Sequence, residues 1–96
     1  MNWVDTNFEL GNNFRKIREW QNLSRRQFAQ MLNHSEQAYR HFEEGDVGIK
    51  VSDLLKFCKA LDLDLVEVLQ KDFIEKNMAK YVLKLHQKEK HNGKNM

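Results

Sequence analysis

Along the first seventy positions, apolar residues fall in short groups at helical spacing, separated by polar punctuation. Leu10, Phe14 and Ile17 share one helical face behind a Thr6–Glu9 capping box, which predicts a first helix running to about Gln21. Ser24 and Gln27 form a second capping box. Phe28, Ala29 and Leu32 then line the inner face of a helix over about Arg25–Leu32. The run Asn33-His34-Ser35 breaks the pattern, and Ser35 can cap a third helix over about Glu36–Glu43. That helix is expected to bury Ala38, Tyr39 and Phe42, with Gly45 as its left-handed stop. After a loop with two glycines, a fourth helix near Ser52–Leu61 would bury Leu54, Leu55, Cys58 and Leu61. Asp64 with Glu67 marks the start of a fifth, carrying Leu65, Val68 and Leu69.

Two segments lie outside this five-helix pattern. Trp3, Val4 and Phe8 precede or open the first helix and are read as fastening an N-terminal arm, either to the body or to a partner chain. Beyond residue 70, Ile74, Met78, Tyr81, Val82 and Leu85 form an apolar stripe on a further helix, and Lys76, Lys80, Lys84 and Lys88 recur every four residues on another face. The reading is therefore all-α, with an arm and the start of helix 1 at 1–9, a helical domain at 10–70, an amphipathic C-terminal helix at 71–90, and a disordered polar tail at 91–96. The total lack of proline suits such a fold.

Composition narrows the chemistry. A chain of 96 residues has room for one domain with a modest core. No apolar run approaches the roughly 20 residues of a bilayer-spanning helix, and the N-terminus lacks the basic-then-apolar order of a secretory signal. One cysteine, Cys58, cannot form an internal disulfide, and a reducing cytoplasm is the expected compartment. Cys58 falls on the inner face of helix 4 and reads as a small core residue. The histidines and Cys58 show no zinc-site spacing, so no metal and no cofactor are expected. Without a glycine-rich phosphate loop, a nucleophile elbow or paired catalytic carboxylates, no enzyme is expected either. Net charge is only +2, but it is unevenly placed: residues 1–34 are basic, 35–70 acidic and 71–96 basic. Any contact with nucleic acid must come from a local patch.

Helices 2 and 3, two short helices around a tight turn, make a helix-turn-helix arrangement, whose second helix can enter a DNA major groove. From Leu10 to Leu69 the chain resembles the Xre/Cro, or phage lambda-repressor-like, family without a gap. The resemblance is carried by Leu10-Gly11, Ile17-Arg18, Leu23-Ser24, Phe28-Ala29, Leu32, Ser35, Glu43, Gly45, Leu54-Leu55, Lys59-Ala60-Leu61, Leu65 and Glu67. It implies a five-helix bundle that binds double-stranded operator DNA, usually as a homodimer on an inverted repeat. The family's base-reading positions fall here on Glu36, Gln37, Arg40 and His41. Ser24, Arg25, Arg26, Ser35 and Lys50 suit phosphate contact. Three positions depart from the family pattern. Glu36 is a carboxylate at a leading base-contact position, where it could accept from a cytosine N4 donor. Asp46 stands where many relatives are basic, and Asp62 replaces a common glycine in a conformation that aspartate tolerates.

Two functions of different class follow. The first is a transcriptional repressor whose dimer places helix 3 in successive major grooves. The alternative is an antitoxin-like module that binds a toxin-like protein partner through its terminal segments and regulates its own operon. The stripe Ile74, Met78, Tyr81, Val82 and Leu85 is the candidate dimer or partner surface, because an apolar face added to a closed bundle needs a cover.

Overall fold

In a computed structural model the described residues are 2–80. They form α1 (Asn7–Trp20), α2 (Arg25–Met31), α3 (Glu36–Glu44), α4 (Val51–Ala60) and α5 (Leu65–Val68), and residues 73–80 are again helical. Local chemistry explains where the helices begin. The hydroxyls of Thr6, Ser24 and Ser35 accept the N–H of Glu9, Gln27 and Ala38, and Asp64 accepts from Val66 and Glu67. At Ser24 the box is complete, because the Gln27 side chain accepts the Ser24 N–H at 2.9 Å. Only α4, among these five, starts without a side-chain cap.

The ends follow one rule. Asn22, Asn33, Gly45 and Asp62 take positive φ just after α1, α2, α3 and α4. In each case the next residue's N–H reaches back five positions: Leu23 to Arg18, His34 to Ala29, Asp46 to His41 and Leu63 to Cys58, at 2.8–3.2 Å. These are the six-to-one bonds of a Schellman stop, which needs one left-handed residue. Asparagine and aspartate reach that region more readily than other residues with a side chain, so the chain reverses three times without glycine.

The core is largely aromatic. Phe14, Phe42 and Phe57 meet edge to face at 5.4–6.1 Å, and Phe28 packs on Tyr39 at 5.4 Å. α1 lies close against α3 at Gly11, where a Cβ would run into the carbonyl oxygens of Phe42 and, at 2.6 Å, Glu43. The N-terminal arm lies along the segment after α5: Val4 N–H donates to Leu69, Lys71 N–H donates to Asn2, and the buried Asn13 amide donates to Val68 at 2.8 Å.

Two expectations about the inner faces need correction. Leu55 is 50% exposed, and Phe57 takes its place inside, because rotating α4 buries a ring among Phe14, Phe42 and His34. Ala38 is exposed: α3 is turned so that Tyr39, Phe42 and the charged Glu43 face inward. Ile74 packs against the chain's own core, while Met78 stays half exposed. Tyr81, Val82 and Leu85, and the tail, lie outside the described residues.

Gly11→Ala should destabilise the fold by about 1–3 kcal/mol or more, the usual range for overpacking. The opposing atoms are backbone and cannot rotate away. A lower urea midpoint with an unchanged slope would register it.

Candidate nucleic-acid interface

The site is organised by a carboxylate. Glu43 projects from the last turn of α3 into the interior, and its side chain has no exposed surface. Arg18 of α1 grips it in bidentate fashion, Nε to Oε2 at 2.8 Å and Nη2 to Oε1 at 2.9 Å. The remaining Nη1 of Arg18 donates to the Leu23 carbonyl at 2.8 Å, in the turn leading to α2. Arg25, the first residue of α2, adds an Nε bond to Glu43 at 3.0 Å. Burial would raise the Glu43 carboxyl pKa, but the hydrogen bonds from Arg18 and Arg25 overcome this and hold it below the usual range. The hydrogen bond to Glu43 likewise raises Arg18 against the effect of burial. The buried Tyr39 hydroxyl lies beside this carboxylate without a partner in good hydrogen-bonding geometry. Burial first, and the Glu43 charge next, hold that phenol protonated far above the ordinary tyrosine range.

With its inner face fixed in this way, α3 turns its other side outward. Glu36, Gln37 and Arg40 are exposed there, and His41 lies at the edge of that face. His41 Nδ1 pairs with Asp46 Oδ2 at 3.1 Å, which accounts for the acidic residue after Gly45. A cleft of about 310 Å³ runs beside the helix, with His34, Ala38, His41, Val47, Lys50 and Asp53 in its lining. Lys50 is thereby brought alongside α3.

The phosphate candidates are less alike than the sequence suggests. Arg26 is exposed on α2. Arg25 is engaged, through Nε by Glu43 and through Nη2 by Glu44 at 3.8 Å. The Ser24 and Ser35 hydroxyls accept cap bonds, which leaves each O–H free to donate outward. Sequence reasoning missed Glu44, which pairs with both Arg25 and Arg40, and missed Glu43 as an inner-face residue. The available signal was phase: 39, 42 and 43 fit a helical stripe as well as 38, 39 and 42 do.

Among the described residues, His41, Glu44 and Asp46 are the one group of three whose possible metal-ligating atoms lie within 4.8 Å of one another. Each already has a neighbour: His41 Nδ1 and Asp46 Oδ2 lie 3.1 Å apart, and Glu44 lies within 4.0 Å of Arg25 and Arg40. Cys58 is buried, and burial pushes its thiol pKa up, which makes it a poor nucleophile.

A helix-turn-helix family model matches residues 14–68, more than half of the chain. The chain is also similar to solved structures. The clp gene regulator ClgR from Corynebacterium glutamicum superposes with a TM-score of 0.60 at 24% identity, over 66% of this chain and 82% of that one. A second ClgR structure gives 0.59 at 19% identity, over 90% and 86%. The restriction-modification controller protein C.AhdI from Aeromonas hydrophila gives 0.60 at 22% identity, over 65% and 94%. These likenesses show the fold. No curated protein sequence matches the chain.

Glu43→Gln should lower stability at neutral pH by about 3–5 kcal/mol, the usual result of removing one partner from a buried ion pair. A carboxyl pKa held low in the folded state stabilises above the unfolded value, near 4.5, and that stability is lost as pH falls through the folded value. Urea unfolding across pH should therefore show wild type and variant converging below about pH 4.5.

Proposed function

The chain belongs to the Xre/Cro, lambda-repressor-like, helix-turn-helix family and is a DNA-binding transcription regulator, not an enzyme; on that premise we propose that it is a repressor that binds an inverted-repeat operator as a homodimer. The observation that carries this reading is the setting of α3. Its inner side holds Tyr39, Phe42 and Glu43, so Glu36, Gln37 and Arg40 are presented to solvent together, with His41 beside them. In the proposed complex Gln37 bridges the N6 and N7 edge of an adenine, and Arg40 takes guanine O6 and N7. Glu36 accepts from cytosine N4, and His41 donates to a guanine or to a phosphate. Ser24, Arg25, Arg26, Ser35 and Lys50 meet phosphates and set the register without reading sequence.

Two copies would set their α3 helices roughly 34–36 Å apart, one turn of DNA, so that an inverted repeat mirrors the protein's two-fold axis. Met78, 51% exposed on the last described helix, belongs to the proposed contact between copies. The regulatory names of the ClgR and C.AhdI structures support a role in controlling transcription. Among the described residues no helix is long and apolar enough to cross a membrane. Repression follows from occupying promoter DNA.

Selection from a random duplex pool should enrich an inverted repeat, and recovery of no repeat at all would remove the operator from the proposal. On the recovered sequence, Gln37→Ala should relax preference at one base pair per half-site by about 1–3 kcal/mol. Arg26→Ala should weaken all sequences alike and reduce the salt slope by about 1. Equal loss on every sequence from Gln37→Ala would remove its base-reading role.

A further inference from the structure

Glu44 sits in the last turn of α3, where the helix dipole disfavours a negative charge. It is not in the core: its side chain is 44% exposed. Yet it is the residue on which the two elements of the motif converge outside the interior. Arg25 reaches it from the start of α2 at 3.8 Å, and Arg40 reaches it from one turn back on α3 at 4.0 Å. Arg40 lies four residues from both Glu36 and Glu44, and it closes on Glu44. An arginine ahead of its acid is the less favourable order for such a pair on a helix. Helix stability therefore does not account for a glutamate here.

The two arginines are candidates for DNA contact, and the Glu44 carboxylate lies within ion-pair distance of the same guanidinium groups that a phosphate would attract. Resting on the DNA-binding reading above, we infer that Glu44 is a positioning residue for specificity: it clamps Arg25 and Arg40 together and withholds them from the phosphates of non-cognate DNA. Non-specific binding depends almost wholly on such phosphate contacts, so engaging two guanidinium groups weakens it directly. In the free protein the same clamp limits the rotamers of Arg40, so less side-chain order remains to be imposed when it meets the base edges of the operator. There, loss of Glu44 brings a gain in positive charge and a loss of order that oppose each other. The pair is exposed and weak, so correctly placed base contacts can displace it. The buried Glu43 also holds Arg25, through Nε at 3.0 Å, but Arg18 grips both its oxygens and its removal disturbs the fold.

The test uses the full-length chain, a random-sequence duplex and the operator recovered by selection, with affinity followed by fluorescence anisotropy over a salt series. Glu44→Gln removes an unfavourable charge from a helix C-terminus, so it should fold like wild type by circular dichroism. It should bind the random duplex about three- to tenfold more tightly, with a salt slope steeper by about one to two. Operator affinity should change less, so the specificity ratio falls. Adding Glu44→Gln to an Arg25→Ala/Arg40→Ala background should have no further effect on random-duplex binding. The same gain in that background would mean that Glu44 repels DNA by its own charge, and the clamp is overturned. Unchanged random-duplex affinity in Glu44→Gln overturns it as well. If selection yields no operator, the operator reading fails by itself, and the random-duplex measurements still decide the clamp.

Discussion

The Glu43 carboxylate is the constraint on which the geometry of the motif depends. A carboxylate with no exposed surface costs several kcal/mol to desolvate unless it is fully paired. Arg18 meets both its oxygens, Arg25 adds a third bond, and the remaining donor of Arg18 ties down the turn at Leu23. One charged atom group thus fixes α1, the α1–α2 turn, the first residue of α2 and the end of α3. Such a pair adds little net stability over well-packed apolar side chains, but losing one member is costly. Its contribution is geometric. A leucine at this position could sit in several rotamers, whereas a bidentate guanidinium accepts a carboxylate in one plane. With that plane fixed, the outer face of α3 is fixed as well.

Close backbone approach supports the same arrangement. Gly11 lets α1 lie against the carbonyls of Phe42 and Glu43, which brings Arg18, two turns further along α1, within reach of the Glu43 carboxylate. The short Schellman stops keep the turns tight, so α2 and α3 are joined without slack that would let α3 rotate. The arm along residues 69–71 and the buried Asn13 amide tie the segment after α5 to the start of the chain and to α1.

How much of this is legible in the sequence depends on how far apart the interacting residues are. Caps and stops are local, and Thr6, Ser24, Ser35 and Asp64 could each be read from the residues that follow within three positions. Phase is not local. An apolar-only reading puts Ala38 inside and leaves Glu43 out, because it has no way to know that Arg18, 25 residues earlier, will neutralise the acid. The same reading favours Leu55 over Phe57, although both keep helical spacing with Leu54 and Cys58. Only the ring contacts with Phe14 and Phe42 decide between them. Ile74 reads as part of a free stripe for the same reason: the core it joins is assembled from residues 14 to 73. The outer-face candidates Glu36, Gln37, Arg40 and His41 came from family resemblance. The pairing of Arg25 with Glu44 spans 19 residues and becomes visible only in the folded chain.

The acidic middle of the sequence argues less strongly against DNA than its raw charge suggests. Glu43 is neutralised inside the protein, Asp64 is spent on a helix cap, and Asp46 lies 3.1 Å from His41 Nδ1. Glu44 lies between two arginines. Of the carboxylates around α3, this leaves Glu36 as the one at the leading end of the outer face, where a base-edge donor could satisfy it. A protein with net charge +2 cannot rely on a strong general attraction to the phosphate backbone. Arg25 and Arg40 lie in defined pairs, and releasing them requires a surface that offers something better than a carboxylate. On the proposed DNA-binding reading, low overall charge and the engagement of Arg25 and Arg40 act in the same direction: they weaken binding to arbitrary DNA and leave discrimination to the side chains proposed to read bases on the outer face of α3.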